Sequence, residues 1–103
     1  MQGTRKSRSY KDLEVWKLSL VFVSEIYQAT GKFPPSEVFG LAHQIRKAAV
    51  SISSNIAEGQ FRNSSKEFIQ FLSTALGSAA ELETQLIIAR NIAYLKEEET
   101  ASF

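Results

Sequence analysis

Two sets of residues in this 103-residue chain could do chemistry: a scatter of serines and carboxylates, and a group of lysines and arginines. The first set lacks the partners that reactions need. His43 is the only histidine and there is no cysteine. One chain therefore cannot build a histidine-based metal site, a thiolate-ligated zinc, a thiol nucleophile or the Glu-x-x-His pairs of di-iron bundles. Ser51, Ser53, Ser54, Ser64 and Ser65 have no base placed near them and read as small packing or capping residues. Gly31-Lys32 lacks the glycine spacing of a phosphate loop. Asn63-Ser64-Ser65 matches a glycosylation sequon but, with no export signal, reads as a helix cap. No catalytic residue, cofactor or metal is expected, and the chain reads as non-enzymatic.

The cations are spread unevenly. Residues 1–11 carry Arg5, Lys6, Arg8 and Lys11 with no acid, a charge of +4. Residues 12–95 hold seven basic and eight acidic side chains, and Lys96 is followed by Glu97, Glu98 and Glu99. A short basic arm can hold a nucleic-acid backbone electrostatically, although four charges also suit a solvated terminus. Arg46, Lys47, Arg62 and Lys66 are the candidate phosphate contacts in the body of the chain.

Without cysteine, a reducing cytoplasm is the expected compartment. The first ten residues lack the apolar stretch of a secretory signal. No apolar run approaches the roughly 18 residues of a membrane span, so no membrane partner is expected. Apolar residues make up 44% of the chain, enough for one small core.

The elements that must position the cations are helical. The spacing predicts a basic, flexible arm over residues 1–11 and one helical-bundle domain over 12–103. A first helix is expected from Asp12 to Thr30, with Gly31 after its last turn. It carries two adjacent apolar stripes, Leu13, Trp16, Leu20, Val23 and Tyr27 beside Val15, Leu18, Phe22 and Ile26. Together they cover more than one neighbouring layer can bury. Phe33-Pro34-Pro35 breaks the pattern. A second helix is expected from near Ser36 to between Gly59 and Arg62, buried along Val38, Leu41, Ile45, Ala48, Ala49, Ile52 and Ile56. Ser64 and Glu67 then have capping-box spacing and open a third helix to about Tyr94. Its main face carries Phe68, Phe71, Leu72, Ala75, Ala79 and Leu82. A second apolar line on it runs Ile69, Leu76, Ala80, Ile87 and Tyr94.

Short connections make successive helices antiparallel neighbours. Folding about residue 32 or 33 places Trp16 over Ala48 and Ala49, with Leu76 closing the layer. The same folding brings Arg46 level with Glu83, and an ion pair is expected there, fixing register or binding a ligand. Glu58 and Arg62 form a helix pair at four-residue spacing. The surplus apolar positions Val15, Leu18, Phe22, Ile26, Leu76, Ala80 and Ile87 are the expected subunit interface.

These residues resemble a known family. Asp12-Leu13-Glu14-Val15-Trp16, Phe39-Gly40-Leu41, Gln44 through Ile52, Ser54-Asn55-Ile56-Ala57-Glu58-Gly59, Gly77-Ser78 and Glu81 through Leu86 are similar, in order, to blocks of the 23S ribosomal RNA intervening-sequence proteins. The resemblance covers about residues 10–95. It implies an all-α, up-down-up-down antiparallel four-helix bundle that assembles as a homopentamer. It also implies kinship with the accessory variability protein of diversity-generating retroelements, a basic pentamer that binds nucleic acid and a reverse transcriptase. Ser53 stands where the family often has proline. The family's fourth helix is only beginning at Phe103, so a truncated or very short fourth helix is expected.

Two functions follow. One is an oligomer that binds RNA or DNA through cations repeated around a ring, favoured by the resemblance more than by charge. The other is a scaffold that presents helices to another protein, with no role for nucleic acid.

Overall fold

The computed structural model describes residues 9–101, and no strand occurs among them. Three long helices, α1 (Glu14–Thr30), α2 (Leu41–Phe61) and α3 (Ser65–Asn91), are followed by the single-turn α4 (Glu97–Ala101). Contacts between Ser19 and Ser53 and between Ser51 and Ser78 set each long helix antiparallel to the next. The fold is thus a helical bundle whose fourth helix is very short, as expected.

Each boundary has a local cause. Ser9 opens a 3-10 turn over Tyr10–Asp12, so α1 begins at Glu14 rather than Asp12, with Leu13 as an extended N-cap. α2 begins at Leu41, five residues later than expected from the sequence. Pro34 and Pro35 lead into a second 3-10 turn over Pro35–Glu37. The Glu37 carboxylate then folds back, and Oε1 accepts the Leu41 N–H at 2.9 Å. A Cβ at Gly40 would stand 2.5 Å from that oxygen, so only glycine leaves room for this cap. The other oxygen of Glu37 accepts the Tyr94 hydroxyl at 2.9 Å. The Leu41 N–H, and then Tyr94, hold the Glu37 carboxyl below its ordinary range. The hydrogen bond to Glu37 in turn raises the Tyr94 phenol.

Ser64 caps α3 as its spacing predicts, its hydroxyl accepting the Glu67 N–H at 3.2 Å. α3 stops at Asn91, short of Tyr94, because Ala93 turns left-handed at φ 66°. Ala93 N–H reaches the Arg90 carbonyl and Tyr94 N–H the Ala89 carbonyl, the hydrogen-bond pair of a Schellman ending. Beyond it, Glu99 accepts the Lys96 N–H at 2.9 Å and pairs with Lys32 at 3.2 Å, tying α4 to the first connection.

α2 is the middle element and packs against both α1 and α3, which meet each other far less. Ala48, Ala49 and Gly59 face its neighbours, and a Cβ on Gly59 would lie 2.9 Å from Phe71 Cβ. The main core gathers Ile26, Ala29, Ile45, Ala49, Leu82 and Ala89, closed by Phe33 and Leu95. It lies toward the α1–α2 connection. Around the α2–α3 turn the aromatic residues Phe68 and Phe71 are only half-buried.

The expected layer of Trp16 over Ala48 and Ala49 does not form. Ser19 pairs with Ser53, which moves the fold axis from residue 32 or 33 to about residue 36. The connection over residues 31–40, with its 3-10 turn, supplies the difference. Trp16 is half-buried and meets Tyr10 edge-on at 5.1 Å, while Leu76 is 72% exposed. Ser53 itself lies inside an unbroken α2, its buried hydroxyl 2.7 Å from that of Ser19.

The molecule is an elongated slab, 52 Å long and almost as thick as it is wide at 22 × 20 Å, with a radius of gyration of 15.6 Å against about 13 Å for a compact chain of this size. A groove of about 720 Å³ runs between α1 and α3 where their edges stand apart, floored by Ile52 and Leu82. Glu97 and Thr100 of α4 line it as well.

Left-handed backbone costs a Cβ-bearing residue about 1–2 kcal/mol, and glycine pays part of that back in chain entropy. Ala93→Gly is expected to stabilise the fold by about 0.5–1 kcal/mol, read as an upward shift of the thermal midpoint by circular dichroism.

Candidate nucleic-acid interface

The structure divides the candidate cations into two groups. Arg5, Lys6 and Arg8 lie outside the described residues. Lys11 sits in the 3-10 turn that Ser9 caps, where the chain enters α1. Arg62 is the C-cap of α2 in extended conformation, and Lys66 is exposed in the first turn of α3. The three share one end of the slab. Lys11 and Arg62 line a common depression of about 810 Å³, together with Tyr10, Phe61 and Asn63.

Arg62 is oriented before any ligand arrives. Its Nη2 meets Glu58 Oε2 at 2.8 Å, which is the expected helix pair. Its guanidinium lies 4.9 Å over the Phe71 ring. Both partners are well exposed, so the ion pair contributes only a few tenths of a kcal/mol. Lys66 makes no ion pair among the described residues. It stands at the positive end of α3, where the helix dipole adds to its charge. Glu67 also lines the depression, but its carboxylate accepts from the Ser64 hydroxyl at 3.4 Å within the cap.

Arg46 and Lys47 stand apart from this group. The rise of an α-helix puts them about 24 Å from Arg62 along α2. Arg46 turns to α1, where Nε donates to Thr30 Oγ1 at 2.7 Å and Nη2 to the Tyr27 carbonyl at 3.3 Å. Its guanidinium also covers the Tyr27 ring at 4.7 Å. The Thr30 hydroxyl donates to the Ile26 carbonyl and so has a lone pair left for Arg46. The expected Arg46–Glu83 pair is therefore corrected. Arg46 shares the α1-facing side of α2 with Ser53, while Glu83 is exposed on the wall of the groove. Lys47 is exposed beside it, and His43 is exposed one turn earlier.

The expected subunit face is also revised at one end. Ile26 is fully buried within the chain's own core and leaves the interface set. Phe22 is half-buried against that core. Val15, Leu18, Leu76, Ala80 and Ile87 are exposed.

Two residues of the depression escaped the sequence reading. Phe61 is 77% exposed, and the signal for that was present. It falls off the Ile45, Ala49, Ile52, Ile56 stripe, so a helix ending there points it away from the core. Tyr10 gave no comparable signal, since its position depends on the 3-10 turn.

Among the described residues no group of three His, Asp or Glu side chains could hold a metal. What the site offers instead is charge, aromatic surface and an amide. The family model for 23S rRNA-intervening sequence proteins matches residues 11–103. The chain belongs to that family. No curated protein matches it. For this member of the 23S rRNA-intervening sequence proteins, the matched region covers the four helices and the depression apart from Ser9 and Tyr10, and leaves out most of the basic segment.

The two groups of cations should separate under mutation. Arg46→Met keeps the aliphatic stem but removes two hydrogen bonds and the ring contact. It is expected to lower stability by about 1–3 kcal/mol in a urea melt, a loss that truncating the exposed Lys66 does not bring.

Proposed function

We propose that this family member is a non-catalytic homo-oligomer, a pentamer by its family resemblance, that binds RNA or DNA and acts in the cytoplasm. The observation that carries the binding reading is convergence. Lys11, Arg62 and Lys66 share the end of the slab to which Arg5, Lys6 and Arg8 are joined through Ser9. The charge of one copy is modest, and Glu58 and Glu67 offset part of it. Several copies acting together convert weak single contacts into useful affinity.

The exposed apolar positions Val15, Leu18, Leu76, Ala80 and Ile87 support assembly, because association would remove their apolar surface from water. No described helix is long and apolar enough to cross a membrane, so a bilayer is not proposed as the cover.

Fluorescence polarisation with labelled RNA and DNA over a range of salt tests the binding. Affinity is expected to fall linearly with salt on logarithmic axes, with a shallower slope for Arg62→Ala and Lys66→Ala. Absence of binding at low salt, or binding indifferent to salt, would leave the scaffold reading in its place. Light scattering tests the assembly: the wild type should give a multiple of 11.5 kDa, and Leu18→Glu with Leu76→Glu should reduce it. A monomeric wild type overturns the oligomer.

A further inference from the structure

The depression at the α2–α3 turn has a composition that phosphate binding alone does not explain. Phe61 projects from the last position of α2 with 77% of its surface exposed, beside the half-buried Tyr10. Cations bracket the pair: Lys11 adjoins Tyr10, and Arg62 adjoins Phe61. Asn63 adds an amide that can both donate and accept. A bare phenyl ring gains nothing from phosphate and is a costly thing to leave in water.

We propose that this depression binds single-stranded nucleic acid, with a base stacked on Phe61 and the flanking phosphates held by Lys11, Arg62 and Lys66. The proposal rests on the nucleic-acid reading above and narrows it to a strand with unpaired bases. A duplex keeps its base faces inside the stack, where a ring at the mouth of a depression cannot reach them. The body of the chain is also close to neutral, with seven basic and eight acidic side chains over residues 12–95. It therefore lacks the dense positive surface that holds a duplex by its phosphates. Aromatic stacking supplies affinity where charge is scarce, and it tolerates any base, because every base has a π-face. Glu67 is the acidic neighbour on the same wall, and both its N–H and its carboxylate are engaged with Ser64 in the α3 cap.

The molecule carries its own reporter. Trp16 is the only tryptophan, and its ring meets Tyr10 edge-on at 5.1 Å. A base entering the depression disturbs that contact, because Tyr10 lines the depression.

The test is a polarisation titration of the full chain with labelled oligothymidine and oligouridine of about a dozen nucleotides, and with a duplex of equal length. Tryptophan emission is followed in parallel. The wild type is expected to bind the single strands more tightly than the duplex and to change its Trp16 emission on saturation. Phe61→Ala is expected to weaken single-strand binding about ten-fold with the salt slope unchanged, and Phe61→Tyr to restore it. Because Phe61 stands outside the core, an unchanged circular-dichroism melt is expected to show that Phe61→Ala still folds. Equal affinity for duplex and single strand, with no effect of Phe61→Ala or no change in Trp16 emission, overturns the stacking site but leaves the nucleic-acid reading standing. No binding of any strand at low salt overturns both. A change of molecular mass in Phe61→Ala by light scattering, without loss of affinity, assigns the ring to a protein contact instead.

Discussion

Everything in this molecule depends on how closely α2 can approach two other helices at once. Its sides are built from Ala48, Ala49, Ser53 and Gly59, residues small enough for backbones to come near. Close approach makes dispersion contacts dense but supplies little apolar volume per residue. The large side chains that fill the remaining space come from one end, where Ile26, Ile45, Phe33, Leu86 and Leu95 meet. A bundle centred on α2 results, and the gap left between α1 and α3 is the groove.

The two ends of the slab are finished with different chemistry. At the α1–α2 connection, polar side chains are occupied inside the fold. Glu37 caps α2 and holds Tyr94, Arg46 reaches across to α1, and Lys32 meets Glu99. The Glu37–Tyr94 and Lys32–Glu99 contacts join segments far apart in sequence and tie the chain beyond α3 to the first connection. At the α2–α3 turn, a single tight cap, Ser64 with Glu67, does the joining. The side chains around it are left to face outward. The division explains why Arg46 and Arg62, similar in sequence, have unlike roles.

The three long helices were legible in the sequence because apolar spacing, the Pro34-Pro35 break and the Ser64–Glu67 cap are local signals. The exposure of Val15, Leu18, Leu76, Ala80 and Ile87 was legible in the same way, since two stripes on one helix exceed what a neighbour can cover. Register was not. It depended on the length of the 31–40 connection, which a 3-10 turn and the Glu37 cap set by contacts that no periodicity records. The expected register put Trp16 in the core, where it is only half-buried, and the fully buried Ile26 was expected at the subunit face. The Arg46–Glu83 pair failed for a related reason. Level along the axis was judged well, but the side of α2 that Arg46 occupies was not. Phe61 shows the converse: the stripe it departs from was visible, and only the meaning of the departure was missed.

The uneven placing of the core has a thermodynamic consequence. Local opening costs least where buried apolar contacts are fewest. The α2–α3 turn, with its half-buried Phe68 and Phe71 and its outward-facing Phe61, is the half of the slab with the smaller core. Opening there costs less than around Ile45 and Ala89, so under the binding proposed above this end would gain most order from a ligand. Binding and local folding at that turn would share one free energy, so a strand held at the depression, as proposed, would stabilise the weaker half of the molecule.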